Sequence, residues 1–165
     1  MDNIKIKNII ISKQGEGSDN YSEFVELVKK HKINVIIVKA GDMINIDKSS
    51  YFYILWPTNE LIKENILNNN SIVAKFIYNN KSILFTGDIE EIAEKKIITK
   101  YQKTNLLKSD ILKVAHHGSK SSSIEEFLSL VKPKIALIGV GESNSFGHPN
   151  LGVLIRLKEL RCSCL

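Results

Sequence analysis

Residues 83–88 read ILFTGD and residues 111–119 read ILKVAHHGS. Each is a short apolar run that stops at a glycine-containing polar cluster, with a carboxylate in the first (Asp88) and paired imidazoles in the second (His116 and His117). Short apolar runs bounded by turn residues read as buried strands. Open α/β sheets place their chemistry at the carboxyl ends of such strands. A third cluster, Gly147-His148-Pro149-Asn150, follows the apolar run Ile135 to Val140 in the same way.

The rest of the chain alternates the same two periodicities. Ile4 to Ser12, Asn34 to Lys39, Met43 to Ile46 and Tyr51 to Trp56 read as strands, the last stopped by Pro57. Asp19 to Lys32 places Phe24, Val25, Leu27 and Val28 on one face after a capping-type Asp-Asn-Tyr-Ser start, which predicts a helix. Thr58 to Asn70 reads as a long polar loop. Ile72 to Tyr78 and Ser82 to Thr86 form a tight hairpin, because Asn79-Asn80 tolerates positive φ. Helices are expected over Glu90 to Lys100, Ile124 to Val131 and Leu151 to Leu160, with strands over Ile111 to Ala115 and Ile135 to Val140. Hairpins followed by strand–helix units predict an α/β (α+β) domain, a mixed sheet with flanking helices.

Composition narrows the class. At 165 residues, 43% apolar and 25% charged, the chain can bury a core. No apolar stretch approaches a membrane span, and Met1-Asp2-Asn3-Ile4-Lys5 lacks the build of a signal peptide, so the sequence reads as cytoplasmic. The net charge of +5 raises a polyanionic partner, but Arg156 and Arg161 are the only arginines. A scattered lysine surface argues against bidentate reading of a particular base sequence. Cys162 and Cys164 are too few for a closed zinc site and too close for an easy disulfide, so they read as free thiols on a ragged end.

Each candidate residue has a plain structural reading beside the chemical one. Asp88 stands where an aspartate also caps a helix, His148 where a histidine also helps to cap one, and His116 and His117 can be loop residues satisfied by water. Neighbouring residues at a strand end point to opposite sides, so one histidine reaches a metal while the other meets substrate. The loop after them (Ser119, Ser121, Ser122, Ser123) offers hydroxyls and N–H groups to a phosphate. Taken together, Asp88, His116, His117 and His148 make a carboxylate–imidazole set suited to Zn²⁺ or Mn²⁺. The fourth histidine, His31, sits among lysines on a helix and reads as solvated.

Asn69-Asn70-Ser71-Ile72-Val73, Leu84-Phe85-Thr86-Gly87-Asp88, Leu112 to Ser119 and Phe146-Gly147-His148-Pro149 resemble the metallo-β-lactamase-like domain at the C-terminus of ComEC proteins and their stand-alone relatives. Val38-Lys39-Ala40-Gly41-Asp42 is similar to the lead-in. The resemblance implies part of an αββα sandwich and a metal-dependent phosphodiesterase or nuclease. It implies Asp88 as a carboxylate bridging two metals and His117 as a ligand of the second. It implies His116 near the scissile phosphate and His148 at the rim, both with catalytic roles. Ser119 and Asn70 are expected to bind substrate, Asn70 standing where many of the wider superfamily carry a ligand histidine.

The superfamily's His-x-His-x-Asp-His signature has no match in these residues. Residues 1–165 are therefore expected to form one truncated domain, active weakly or not at all. The other expectation is a non-catalytic module. An uncovered apolar sheet face then calls for a second copy or a complementary half, while single-stranded nucleic acid or another phosphodiester is the expected substrate.

Overall fold

The computed structural model describes residues 4–13 and 19–165. The start Met1 to Asn3 lies outside them, as do the residues before the first helix. Strand β1 (Asn8–Ser12), helix α1 (Asp19–Lys30) and strand β2 (Asn34–Val38) form a βαβ unit whose two strands pair in parallel. A seven-stranded sheet follows in sequence order: β3 (Met43–Asn45), β4 (Ser50–Trp56), β5 (Val73–Tyr78), β6 (Lys81–Phe85), β7 (Ile111–Lys113), β8 (Ile135–Leu137) and β9 (Ser163–Cys164). β3 to β6 are antiparallel and β6 to β9 parallel. The mixed α/β architecture expected from the sequence is present.

The change of direction at β6 has a local cause. Two residues join β5 to β6, with Asn79 at φ 50, while helices carry the chain between the parallel strands. These are α3 (Glu91–Tyr101), α4 (Glu125–Val131) and α5 (Leu151–Glu159). They bury Ala93, Ile97, Phe127, Leu128, Val153 and Leu157 against Val73, Leu84, Leu112 and Ala136 of the sheet. The parallel half of the sheet thus has its helices in register with three successive strand ends.

The opposite sheet face is thinner. Val38 of β2 packs with Ile54 and Ala74, flanked by Phe52 and Ile72. Phe52, Phe76 and Phe85 form an aromatic row with ring centres 4.8 and 6.2 Å apart. Phe85, Met43, Ile36 and Ile37 remain substantially exposed.

Several boundaries differ from the sequence expectation. The 58–70 stretch contains a one-turn helix, α2 (Ile66–Asn69), stabilised because the buried Asn70 amide bonds Ile62 N, Ile62 O and Ile66 O. β7 stops at Lys113 and β8 at Leu137, two and three residues short of the apolar runs, because the chain turns away into the site loops. The expected ragged end at Cys162-Ser163-Cys164 is instead strand β9. Ser163 N donates to Lys134 O and Leu165 N to Ala136 O, extending the parallel sheet by one strand.

The two sheet faces set a stability contrast between neighbouring residues. Leu84 is fully buried under the helices and Phe85, one residue on, is 39% exposed. Leu84→Ala should cost about 2–5 kcal/mol in urea unfolding, and Phe85→Thr about 1 kcal/mol. Equal losses would mean that the second face is as well packed as the first.

Candidate functional site

Three turns at the carboxyl ends of β6, β7 and β8 build the site. At the first, Thr86 is buried and its hydroxyl donates to Lys113 O at 2.6 Å, tying the end of β6 to β7. Gly87 then takes φ +53, and a Cβ there would lie 2.7 Å from Ser71 Cβ. No other residue fits such a turn. It delivers the Asp88 carboxylate half-exposed at the rim, and Asp88 does not cap α3, whose N-cap is Glu90.

The second turn corrects the expectation of strand-like alternation. Val114 leads into a 3-10 turn, Ala115–Gly118, in which His116 (φ 47, ψ 44) and His117 (φ 54, ψ 25) are both left-handed. Two successive non-glycine residues in this region are costly and need external support. His116 N donates to Gly87 O at 3.0 Å and Ser119 N to His116 O at 2.8 Å, which supplies it.

The imidazoles still diverge. His117 Nδ1 bonds the Gly139 carbonyl at 2.5 Å. A carbonyl can only accept, so Nδ1 carries a proton, and in the neutral imidazole the lone pair is then on Nε2. That Nε2 stands 3.8 Å from Asp88 Oδ1. His116 turns inward, with a buried Nδ1 that has no hydrogen-bond partner and lies 3.6 Å from Glu90 Oε1.

The third turn docks on the second. A Cβ on Gly118 would meet Pro149 Cβ at 2.8 Å, and Asn150 N donates to Gly118 O. His148 stands edge-on to His116 with ring centres 5.9 Å apart, and Phe146 stacks on His148 at 5.9 Å and 20°. The cap of α5 is Asn150, whose Oδ1 accepts from Gly152 N, so His148 is free of that task. The four residues grouped from the sequence therefore fall into two pairs, Asp88–His117 and His116–His148.

The two side chains expected at the substrate both make internal hydrogen bonds. Asn70 spends its amide on Ile62 and Ile66, below the rim. Ser119 is buried, with Oγ against Ser121 Oγ and accepting from Ser121 N. The serine loop also offers few N–H groups to a phosphate, because Ser123 N and Ile124 N already donate to the Glu94 carboxylate at 2.6 and 2.9 Å.

Sequence reasoning missed Glu90 and Glu94, which organise this region. Glu90 accepts from Asn65, Asn69 and Ser121, bracing the 58–70 stretch against the serine loop. Fully buried Glu94 has its carboxyl pushed up to about 7 by burial, against the opposing pull of Ile124 N–H, Ser123 N–H and Arg156. The signal was available: 90, 94, 97 and 101 share one helical stripe, so two acids fall on the side that buries Ile97 and Tyr101.

The fit to a metal is partial. Tetrahedral zinc, about 2.0–2.1 Å from nitrogen and oxygen ligands, separates two donors by about 3.4 Å. The Asp88–His117 spacing of 3.8 Å is near that value, and the free Nε2 and the carboxylate are suitable donors. Among the described residues, however, no group of three His, Cys, Asp or Glu side chains converges on one point. These residues supply two donors where even an open site takes three protein ligands.

The Metallo-beta-lactamase superfamily model matches residues 54–142, from the end of β4 through the first two turns and past β8, stopping short of His148. The chain belongs to the metallo-β-lactamase superfamily. It is 32% identical over 155 residues to ComE operon protein 3 of Bacillus subtilis, covering 94% of this chain and 19% of that protein. Recombination protein 2 of Haemophilus influenzae is 38% identical over 111 residues, covering 67% and 13%. Competence protein ComA of Neisseria gonorrhoeae is 33% identical over 91 residues, covering 55% and 13%. The chain thus spans less than a fifth of each of these relatives, which are ComEC-type proteins. A Parabacteroides distasonis crystal structure, described as a candidate metal-dependent hydrolase, shares the fold at TM-score 0.54 and 14% identity, covering 98% of this chain and 76% of that one.

Glu94 makes stability depend on pH in a direction unusual for a carboxylate. Its folded pKa of about 7 lies above the ordinary 4.5. Its contribution is therefore full below pH 4.5 and is lost as pH rises toward 7. Relative to wild type, Glu94→Gln should remove a loss on the order of 3 kcal/mol across that window. Parallel stability curves for the two proteins would show that Glu94 is ionised throughout.

Proposed function

We propose that the chain provides part of a metal-dependent phosphodiester hydrolase site of the ComEC type, acting on nucleic acid. The observation that carries this is the Asp88–His117 pair, 3.8 Å apart at adjacent strand ends, with the imidazole tautomer set by Gly139 O. Zn²⁺ or Mn²⁺ held there would stabilise charge on a phosphoryl oxygen. Asp88 and His117 supply two of its ligands, and the remainder come from outside the described residues. His116 and His148 face the same rim, where an imidazole stabilises developing negative charge or passes a proton. We place the activity in the cytoplasm, a setting in keeping with the free thiols of Cys162 and Cys164. No helix among the described residues is long and apolar enough to cross a membrane.

With only two donors in hand, Mn²⁺ or Zn²⁺ should bind this chain weakly in calorimetry. Binding should disappear in Asp88→Ala and in His117→Ala and persist in His31→Ala. Cleavage of single-stranded DNA with Mn²⁺ should be very slow, and any turnover should follow the same pattern. Cleavage that survives Asp88→Ala would defeat the assignment, and tight binding of two ions per chain would defeat the two-donor count.

A second reading, a non-catalytic module, draws support from the thin sheet face, where Phe85 stays 39% exposed beside Phe52. Contiguous exposed apolar surface favours association. On this reading a second copy of the chain or a complementary half covers the face. Sedimentation should then show a dimer that Phe85→Thr weakens; a monodisperse monomer at high concentration would remove this reading.

A further inference from the structure

Phe146 is the most exposed large hydrophobic residue among those described, with 80% of its surface open to solvent. An aromatic ring left so bare does nothing for the core, which ends well below it. Yet it is not a loose side chain on a loose loop. Its ring lies 20° from parallel to that of His148, centre to centre at 5.9 Å, and His148 in turn stands edge-on to His116. The backbone beneath is stapled by Asn144, which donates to Gly141 O and His148 O and accepts from His148 N.

Beside this stack lies an open cavity of about 430 Å³, lined by His117, Gly139, Gly141, Phe146 and His148 among others. The volume is that of a small-ligand site. A Cβ added at Gly139 or Gly141 would meet nothing within 4 Å, so the cavity is bounded in part by bare peptide, the flat surface a planar group prefers. Its polar side chain away from the histidines, Asn144, has both amide hydrogens and its oxygen engaged. The cavity can therefore hold a flat ring but has little with which to read that ring's edge.

We propose that Phe146, stacked on His148, and the glycine-bounded cavity between it and His117 form a platform for a nucleobase of a single-stranded nucleic acid. The inference rests on the nucleic-acid reading given above and names the part of that substrate which this corner holds. A base stacked on Phe146 sits over the cavity shared with His148 and His117, and His117 is the imidazole 3.8 Å from Asp88. Stacking on an aromatic face tolerates any base, and a basic chain of net charge +5 with only two arginines suits backbone attraction without base reading. Single-stranded rather than duplex nucleic acid is required, because a paired base has no free face to offer.

The test is made in EDTA, so that binding is read without cleavage. Fluorescence anisotropy compares a short labelled oligothymidylate with an abasic strand of the same length and charge. Wild-type chain should prefer the thymidylate by about five- to one-hundredfold, the span of ordinary base–aromatic stacking. Phe146→Ala should abolish the preference while leaving the abasic strand bound as before. Phe146→Trp should restore it, with tryptophan emission quenched by thymidylate and not by the abasic strand. Tyr78→Ala, which removes an exposed ring at the β5–β6 hairpin, should change nothing. Equal binding of the two strands, binding of neither, or a preference that survives Phe146→Ala would overturn the platform. So would a change in sedimentation of Phe146→Ala, which would assign the ring to a protein contact. Cleavage of thymidylate with Mn²⁺ but no base preference would remove the platform and leave the hydrolase reading standing. A base preference without any cleavage would do the reverse.

Discussion

Two places where the chain has no room for a Cβ set the arrangement of the whole rim. At Gly87 the backbone passes so close to Ser71 that any side chain would collide, and at Gly118 it passes equally close to Pro149. Each of these glycines also accepts a main-chain hydrogen bond from the next turn, His116 N to Gly87 O and Asn150 N to Gly118 O. The first turn is thereby fastened to the second and the second to the third. The left-handed conformations of His116 and His117 persist because both neighbours hold them. Without these contacts Asp88 and the three imidazoles would sit on three independent loops, each free to drift by more than a ligand distance.

Behind the rim, polar groups are placed where the helices would otherwise be purely apolar. Glu90 and Glu94 leave the same face of α3 and reach different targets. Glu90 ties the Asn65–Asn69 turn to Ser121, and Glu94 receives the N–H groups of Ser123 and Ile124 just ahead of α4. Arg156 of α5 completes the arrangement by donating to Ser122 O and Ser123 O. Buried charge of this kind is expensive unless every partner is present. The serine loop is thus a structural junction among three helices, which is why its hydroxyls and amides have little left for a substrate.

The fold was legible in the sequence to the extent that it depends on periodicity. The apolar runs ending in Thr86-Gly87-Asp88 and Ala115-His116-His117 located the parallel strands and their functional ends, and Asn79-Asn80 located the hairpin. Strand lengths were overestimated, because Val114 and Ile138 pack in the core beyond the last paired residues and Val140 is an exposed apolar residue. The end at Ser163-Cys164 was misjudged because an edge strand of two residues carries no period to read. In the site, residue types identified the candidates, but pairing did not follow from spacing. Whether His148 joins Asp88 or His116 is decided by the docking of Pro149 on Gly118, a contact across 31 positions of chain. Nor does the sequence reveal that Asn70 and Ser119 are engaged in internal hydrogen bonds.

The Glu94–Arg156 junction also has a bearing on how the molecule breathes. Amides of Ser123 and Ile124 end on a carboxylate of α3, and the carbonyls of Ser122 and Ser123 end on a guanidinium of α5. The loop cannot swing outward without parting three helices at once. Its opening is therefore coupled to disruption of the packed core, and its amide protons should exchange with solvent at rates close to those of global unfolding. The 141–148 segment is instead closed on itself by Asn144, and it meets the rest of the rim through His148 on His116. One side of the histidine rim is thus walled by a junction of three helices, and the other by a single short loop that carries its own hydrogen bonds.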